Sequence, residues 1–466
     1  MHIRSKNWLK FVFSVLVFLA IFLVWALDAV DYEPYFLTQY YQTTTARLDS
    51  LLQSTDLYTG AIEVGLGKAS LTPHPSREED DPLKGEFKAV PLAGYSDRES
   101  NPATAVHDSL FVKAVAIRVS GQTLLMVSLE ALIVPVEIAA AVAEKVHEST
   151  GLDRTQILFS ATHTHSGPGA WGEGWLAEQF AGQYNPAVQR WLIRQTVRAI
   201  ERACVDLTPA QIGNSSFSAP QFVKNRLVGN LGWVNDAFDV LVFRQADGDQ
   251  AVLGIYSAHA TVLPAENMQF SGDYPGYWQR AIEKQVPGMA LFFAGSVGSH
   301  GPAEIARDFK SAQKIGEALA NSVLTELPKI MFQDTVAISS LGLPVELPEL
   351  HVRLTSGIRF TPTLAKLLLD TDSTYLQAFR LGNLLWVSTP CDFSGEMAIE
   401  LKNLAGQNGF HAIISSFNGS YTGYLIPGKY YYYNSYESRI MSWFGPYIGD
   451  YFDELIRRMM LGVVRL

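Results

Sequence analysis

Cysteine is nearly absent, with Cys204 and Cys391 the only two in 466 residues. At most one disulfide can form, so a disulfide scaffold is excluded. Basic charge is also in short supply. Lys and Arg total 36 against 46 Asp and Glu, a formal charge of −10, and no basic patch interleaved with aromatics occurs, which excludes nucleic acid as the expected partner. Internal repeats and low-complexity tracts are missing, so a solenoid or a linker-rich architecture is not expected. The glycine-rich stretch 295–301 has no Lys-Ser or Lys-Thr after it and lacks dinucleotide-fingerprint spacing, and no Gly-x-Ser-x-Gly elbow is present. The common phosphate-cradling and serine-elbow chemistries are therefore not signalled.

A long apolar run is present at the start of the chain. His2, Arg4, Lys6 and Lys10 precede an uncharged stretch at residues 11–27, at the short end of the about 17–25 residues that a transmembrane helix needs. Trp8 and Trp25 stand where interfacial anchors belong. A cleaved signal peptide competes with this reading, but residues 25–31 offer no Ala-x-Ala pattern. An uncleaved signal anchor is expected, with a basic cytoplasmic tail at residues 1–10 and a stalk with one short amphipathic helix at residues 28–59. The rest of the chain is then extracytoplasmic, either periplasmic or extracellular.

From residue 60 onward, strand-like segments (61–72, 110–119, 123–129, 157–161, 252–258, 291–294, 384–388, 412–416) alternate with helix-like ones (137–149, 188–205, 274–285, 310–325, 397–404, 451–460). The expected fold is α/β: one large catalytic domain over residues 60–466, with mixed β-sheets packed against flanking helices. No composition break marks a second domain.

Functional residues are expected where strands end. The segment 162–169 reads Thr-His-Thr-His-Ser-Gly-Pro-Gly after an apolar strand, which brings His163 and His165 to a sheet rim. Alone, the pair fits two hydrogen-bonded surface histidines as well as a metal site. His259 ends another apolar run, and His300 lies in the glycine-rich loop after a third. His107 precedes a strand and reads equally as a loop residue. Among carboxylates Asp392 is the best-placed ligand candidate, following a strand and a turn, whereas Glu396 and Glu400 fall on the next helix and are expected to be solvated. Glu130 and Asp273 read at least as well as structural groups.

Several of these segments together resemble the neutral ceramidases, zinc amidases that cleave ceramide into a sphingoid base and a fatty acid. Thr162 to Gly169 looks like the family's Thr-His-Thr-His-Ser-Gly-Pro motif. The resemblance makes His163 a zinc ligand and sets His165 in the pocket. His259, with Ser271-Gly272-Asp273 downstream, takes the place of the second zinc histidine. Pro390-Cys391-Asp392-Phe393-Ser394 is similar to Pro-Gly-Glu-Phe-Thr, so Asp392 stands for the zinc-binding glutamate, one methylene shorter. Tyr421-Thr422-Gly423-Tyr424 resembles the run whose second tyrosine, here Tyr424, completes the metal shell. Asn225-Arg226 and Tyr436-Glu437 match two further motifs that reach the pocket.

The chain departs from the family in two places. Gly301 stands where the family has a catalytic serine, and no C-terminal immunoglobulin-like domain is expected. The resemblance thus implies a membrane-anchored, zinc-dependent amidohydrolase acting on ceramide or a related lipid with metal-activated water. His163, His259, Asp392 and Tyr424 would hold Zn2+, His165 or His300 would move the proton, and Arg226 and Tyr436 would orient substrate. The alternative is a catalytically silent relative that binds lipid or another envelope ligand in the same pocket.

Overall fold

The computed structural model describes residues 2–75, 78–303, 305–369 and 373–465, with side chains from Trp8 onward. The basic side chains of His2, Arg4 and Lys6 lie outside those described. Twelve strands make one mixed sheet: β1 (Tyr58–Ser70), β2 (Phe111–Val119), β3 (Gln122–Leu129), β4 (Ile157–Ala161), β5 (Thr208–Ser218), β6 (Ala237–Gln245), β7 (Gln250–Tyr256), β8 (Gly288–Ala294), β9 (Thr335–Glu346), β10 (Ser373–Leu381), β11 (Leu384–Ser388) and β12 (His411–Ser415). The helices are α1 (His2–Ala26), α2 (Gln39–Ser54), α3 (Val136–Thr150), α4 (Trp175–Ala181), α5 (Pro186–Val205), α6 (Asp273–Glu283), α7 (Phe309–Glu326), α8 (Pro362–Ala365), α9 (Gly395–Gln407) and α10 (Ile448–Val464).

The sheet runs β8-β7-β6-β5-β1-β9-β10-β11-β12, and β1 carries β2, β3 and β4 on its other edge. Strand β1 is long enough to serve three partners. Its first residues pair with β9, Glu63 and Val64 pair with β5, and Ile62 to Ser70 pair with β2. The limbs of the sheet fold over one shared apolar core, where Ile62, Val64, Ile117 and Met126 join Leu253, Phe293, Val336 and Trp386. Helices cover the outer faces: α3 and α5 over β2 and β3, α6 and α7 over β6 to β8, and α2, α9 and α10 over β9 to β11. This is the mixed α/β architecture that the alternating segments imply.

Three parallel strand pairs decide where a site can form. β3 and β4 are joined by α3, β7 and β8 by α6, and β11 and β12 by α9. Parallel neighbours need a crossover, and a helix supplies it. Fully buried strands such as β4 read as unbroken apolar runs because helices and sheet cover both faces. The helix ends are cut by local chemistry: Gly151 closes α3 at φ 76°, and Asn185 opens α5 by accepting from the Ala187 N–H ahead of Pro186. The carboxyl ends of these pairs emerge together, and in open α/β sheets such crevices are where ligands bind.

Strands β5, β6, β9 and β10 were not among the expected ones. β5 is rich in Ser and Asn with only scattered buried positions, and β9 contains Pro344, so neither shows the apolar periodicity that announces a strand. Helix α2, within the segment expected to be a stalk, packs on the domain. Leu48 of α2 is wholly buried against β9 and α10, and the Tyr35 hydroxyl bonds Glu454 of α10 at 2.7 Å. Helix α1 stands apart, and its stretch Trp8–Ala26 is long and apolar enough to cross a membrane.

If α2 belongs to the domain core, Leu48→Ala should cost about 2–5 kcal/mol in urea unfolding of the detergent-solubilised chain. An unchanged midpoint would return α2 to the role of a spacer.

Candidate functional site

His163 leaves β4 in the left-handed region, at φ 62°, a conformation that costs a non-glycine residue energy and persists only where its surroundings hold it. Those surroundings are explicit. The His163 ring stacks on Phe417 with centroids 4.2 Å apart, and its Nδ1 lies 2.6 Å from the Leu132 carbonyl. Phe417 follows β12 and Leu132 follows β3, so two of the three parallel pairs position the first imidazole. The chain is thus kinked at His163 rather than extended, and the His163 and His165 rings converge. His165 sets its Nδ1 3.0 Å from the Gly94 carbonyl. His259, just beyond β7, directs Nδ1 toward the Val297 carbonyl at 3.4 Å.

The consequence lies at the opposite nitrogens. A neutral imidazole carries one N–H, and a carbonyl partner places it on Nδ1, leaving Nε2 a lone pair. The three Nε2 atoms stand 2.8, 3.1 and 3.3 Å from one another. All three rings are held in the neutral form: burial is the first cause, and neighbouring cationic groups including Arg226 add to it, bringing His163 down to about 3 and the other two well below their usual value. Three mutually facing lone pairs repel unless a cation lies among them. The Asp392 Oδ1 atom is 3.5 Å from His163 Nε2, buried and without a hydrogen-bond partner. An orphaned carboxylate oxygen beside three lone pairs fits a divalent metal.

Asp392 begins a two-residue strand, Asp392–Phe393, that pairs in parallel with Tyr424–Leu425, which puts Asp392 opposite Tyr424. Burial raises its carboxyl to about 7, against the lowering effects of the Tyr421 hydroxyl, Arg226 and Tyr424. The Tyr421 hydroxyl donates to Asp392 Oδ2 at 2.8 Å. Arg226 Nη2 donates to the Tyr424 hydroxyl at 3.0 Å, while its Nε sits 2.9 Å from Glu437 without being aimed at it. Asn225 makes that reach possible. Its side-chain oxygen accepts from the Leu227 and Val228 N–H groups, its amide donates to Glu396 at 2.9 Å, and the Arg226 N–H binds the Ser299 carbonyl. Tyr436 packs edge-on against Tyr424 with centroids 5.8 Å apart.

These groups form the floor of a cavity of about 470 Å³, lined by His163, His165, Asp392, Tyr421, Tyr424 and Tyr436. Leu132, Ile133, Trp171, Trp175, Leu176, Phe180, Leu367, Leu368 and Met441 make its walls. The polar cluster thus ends an apolar channel, the usual form of a site for a small, largely apolar ligand.

Seven of the eight expected site residues meet here: His163, His165, Arg226, His259, Asp392, Tyr424 and Tyr436. His300 does not. Both its nitrogens are engaged inside the protein, Nδ1 with the Ser299 hydroxyl at 2.8 Å and Nε2 with the Asn235 N–H at 2.8 Å, and it does not line the cavity. This placement keeps it off the cavity wall. Glu396 is likewise buried, bonded to Asn225 and the Tyr430 hydroxyl, because α9 turns its first residues inward. His107 is an exposed loop residue bonded to Tyr277. Tyr421 and Glu437, which contact the Asp392 carboxylate and Arg226, carry no expected role, although both stand beside residues that do.

Residues 80–321 match the model of the neutral/alkaline non-lysosomal ceramidase N-terminal region. The chain belongs to the neutral ceramidase family. The neutral ceramidase of Pseudomonas aeruginosa is 26% identical over 257 residues, 51% of this chain, and that of Mycobacterium tuberculosis 22% over 243 residues, 47% of it. Each match spans 36% of the relative's own length. Among solved structures, the neutral ceramidase crystal structure from Pseudomonas aeruginosa superposes with a TM-score of 0.72 at 19% identity, covering 87% of this chain and 75% of that one. A ceramidase complexed with C2 gives the same score over 88% of this chain. These likenesses confirm the ceramidase fold.

Protonation would couple to metal binding at this site. Below about pH 7 the metal-free fold keeps a proton on Asp392, whereas the unfolded carboxyl loses it near pH 3.9. This group therefore makes stability fall as pH rises between those values. The imidazoles, neutral when folded, need no deprotonation. Zinc titrated into metal-free protein at pH 6 should release about one proton, when calorimetry is run in buffers of different ionisation enthalpy. Asp392→Asn should abolish the release. Proton-free binding at pH 6 would contradict the assignment.

Proposed function

We propose that the chain is a membrane-anchored, zinc-dependent amidohydrolase that cleaves the amide bond of ceramide or a closely related lipid. The observation that carries this reading is the convergence of three Nε2 lone pairs and an unpartnered Asp392 oxygen at the end of an apolar cavity. His163, His259, Asp392 and Tyr424 would hold the ion. A bound zinc ion lowers the pKa of its water toward about 7 and polarises a carbonyl. The protein residues supply the rest. His165, the least buried of the three imidazoles and a lining residue, is placed to pass a proton to the leaving amine. Arg226, fixed between Tyr424 and Glu437, and Tyr436 are placed to orient the carbonyl and stabilise its developing charge.

Gly301 supports water as the nucleophile. It sits in the short strand His300–Pro302, paired with Val223–Asn225, and a Cβ there would meet Arg226 Cδ at 3.2 Å. The neighbouring hydroxyls are committed elsewhere. Ser299 is bonded around His300, Ser394 and the Gly395 N–H, and Ser296 is bonded to Asn235 and Ser257. The apolar walls suit acyl and sphingoid chains. Helix α1 would hold residues 60–466, the catalytic domain, on the outer side of the membrane, with the basic tail cytoplasmic.

Detergent-solubilised protein should carry stoichiometric zinc and release fatty acid from labelled ceramide. His163→Ala should lose the zinc and reduce turnover on the order of a hundredfold or more. Cleavage of another amide or ester, with ceramide untouched, would keep the chemistry and reject this substrate. Ceramide binding without zinc or turnover would instead establish a silent lipid-binding relative.

A further inference from the structure

The end of α1 does not hang free of the domain. Leu27–Ala29 pairs antiparallel with Ile358–Phe360, the Thr361 N–H binds the Ala26 carbonyl at 2.9 Å, and the Val30 N–H binds the Gly357 carbonyl. Arg359, buried at this joint, ties Asp28 and Glu349 together at 3.2 Å each and donates to the Ala29 and Leu350 carbonyls. The last turn of the apolar helix is thus stitched to one hairpin of the catalytic domain. That hairpin leads straight to the cavity. Helix α8 follows it, then Leu367 and Leu368, which line the cavity.

A second route leads to the same rim. Arg439 donates to the Leu354 carbonyl, and the turn Tyr436–Ile440 that carries Arg439 leads from Tyr436 to Met441, both of which line the cavity. Tyr432 stacks on Tyr32, just past the anchor, with their hydroxyls hydrogen bonded. Aliphatic residues and tyrosines are exposed around this joint, beside the acidic Asp28, Asp31, Glu33 and Glu349 that flank it. Leu367 is 72% and Ile440 60% exposed, and Leu354, Ile358, Tyr32, Tyr432, Tyr433 and Tyr436 are also open, with Arg439 among them. Tyrosines amid aliphatic residues, with a basic group, are the composition of a membrane-water interface. The face is continuous with a helix that is itself long and apolar enough to span.

We infer that this face is a bilayer-contacting surface, and that the joint between the anchor and the 358–360 strand lays the cavity mouth on the membrane in which α1 sits. The occupant is the lipid surface itself. Substrate then enters the cavity laterally from that leaflet, without crossing water. This rests on reading α1 as a span and the cavity as a lipid site.

The test uses the full chain reconstituted in phosphatidylcholine vesicles with nitroxide-labelled lipids, in a Cys204→Ser background, with an environment-sensitive fluorophore on one introduced cysteine at a time. Leu367→Cys and Ile440→Cys labels should lose most of their fluorescence to shallow nitroxides, and Phe18→Cys to deep ones. Labels at Val205→Cys and Met331→Cys, both exposed positions outside this face, should lose none. Quenching at 18 but not at 367 and 440 would overturn the proposal while leaving the anchor intact. Absence of quenching at 18 would overturn both. Labels at 367 and 440 shielded from aqueous iodide yet untouched by lipid nitroxides would put a protein on this face and overturn it as well. Ceramide turnover in detergent, measured on the same preparations, reports separately on the hydrolase reading.

Discussion

Everything at the functional end of this molecule follows from three imidazole lone pairs being forced into one small volume. Each ring is fixed from behind by a backbone carbonyl, so none can rotate its lone pair away without abandoning a hydrogen bond. Burial removes the other escape, protonation, because a charged imidazole in this setting is expensive. A cation is the remaining way to relieve the repulsion. The strain at His163, the stacking of Phe417 and the Tyr421 bond to Asp392 all serve to keep the donors aimed at one point. Such outer contacts are what give a metal site its geometry.

The sheet topology explains why those donors can meet. Residues 163, 259, 392 and 424 are remote in sequence, and no helix or hairpin could gather them. Three parallel pairs, each with a helical crossover, bring several strand ends to a common rim. The loops beyond them are free to carry polar chemistry because the strands beneath are packed on both sides. The same arrangement leaves an apolar cavity opening outward beneath α4 and the 366–368 segment. Under the proposed reading, a polar floor under apolar walls would suit molecules with one polar linkage between apolar arms.

Much of this was legible in the residues alone. Apolar runs followed by glycine, proline or histidine located β4, β7, β8, β11 and β12, and strand-end position singled out His163, His259 and Asp392. The ligand set itself needed the family resemblance, since Tyr424 sits in a tyrosine-rich stretch with no spacing to distinguish it. What stayed hidden depends on tertiary partners. The burial of Glu396 requires knowing that Asn225 faces it, and the engagement of His300 depends on a backbone N–H sixty-five residues away. Strands β5 and β9 are held by neighbours on both edges rather than by their own pattern. The docking of α2 onto α10 pairs segments from opposite ends of the chain.

A zinc ion held by two imidazoles, His163 and His259, and two oxygens, from Asp392 and Tyr424, is tested most directly by X-ray absorption at the zinc edge on the loaded protein. The account predicts nitrogen and oxygen scatterers near 2.0–2.1 Å with the multiple-scattering pattern of imidazole rings, and no sulfur near 2.3 Å. A shell of oxygen alone, or a sulfur contribution from Cys391, would contradict it.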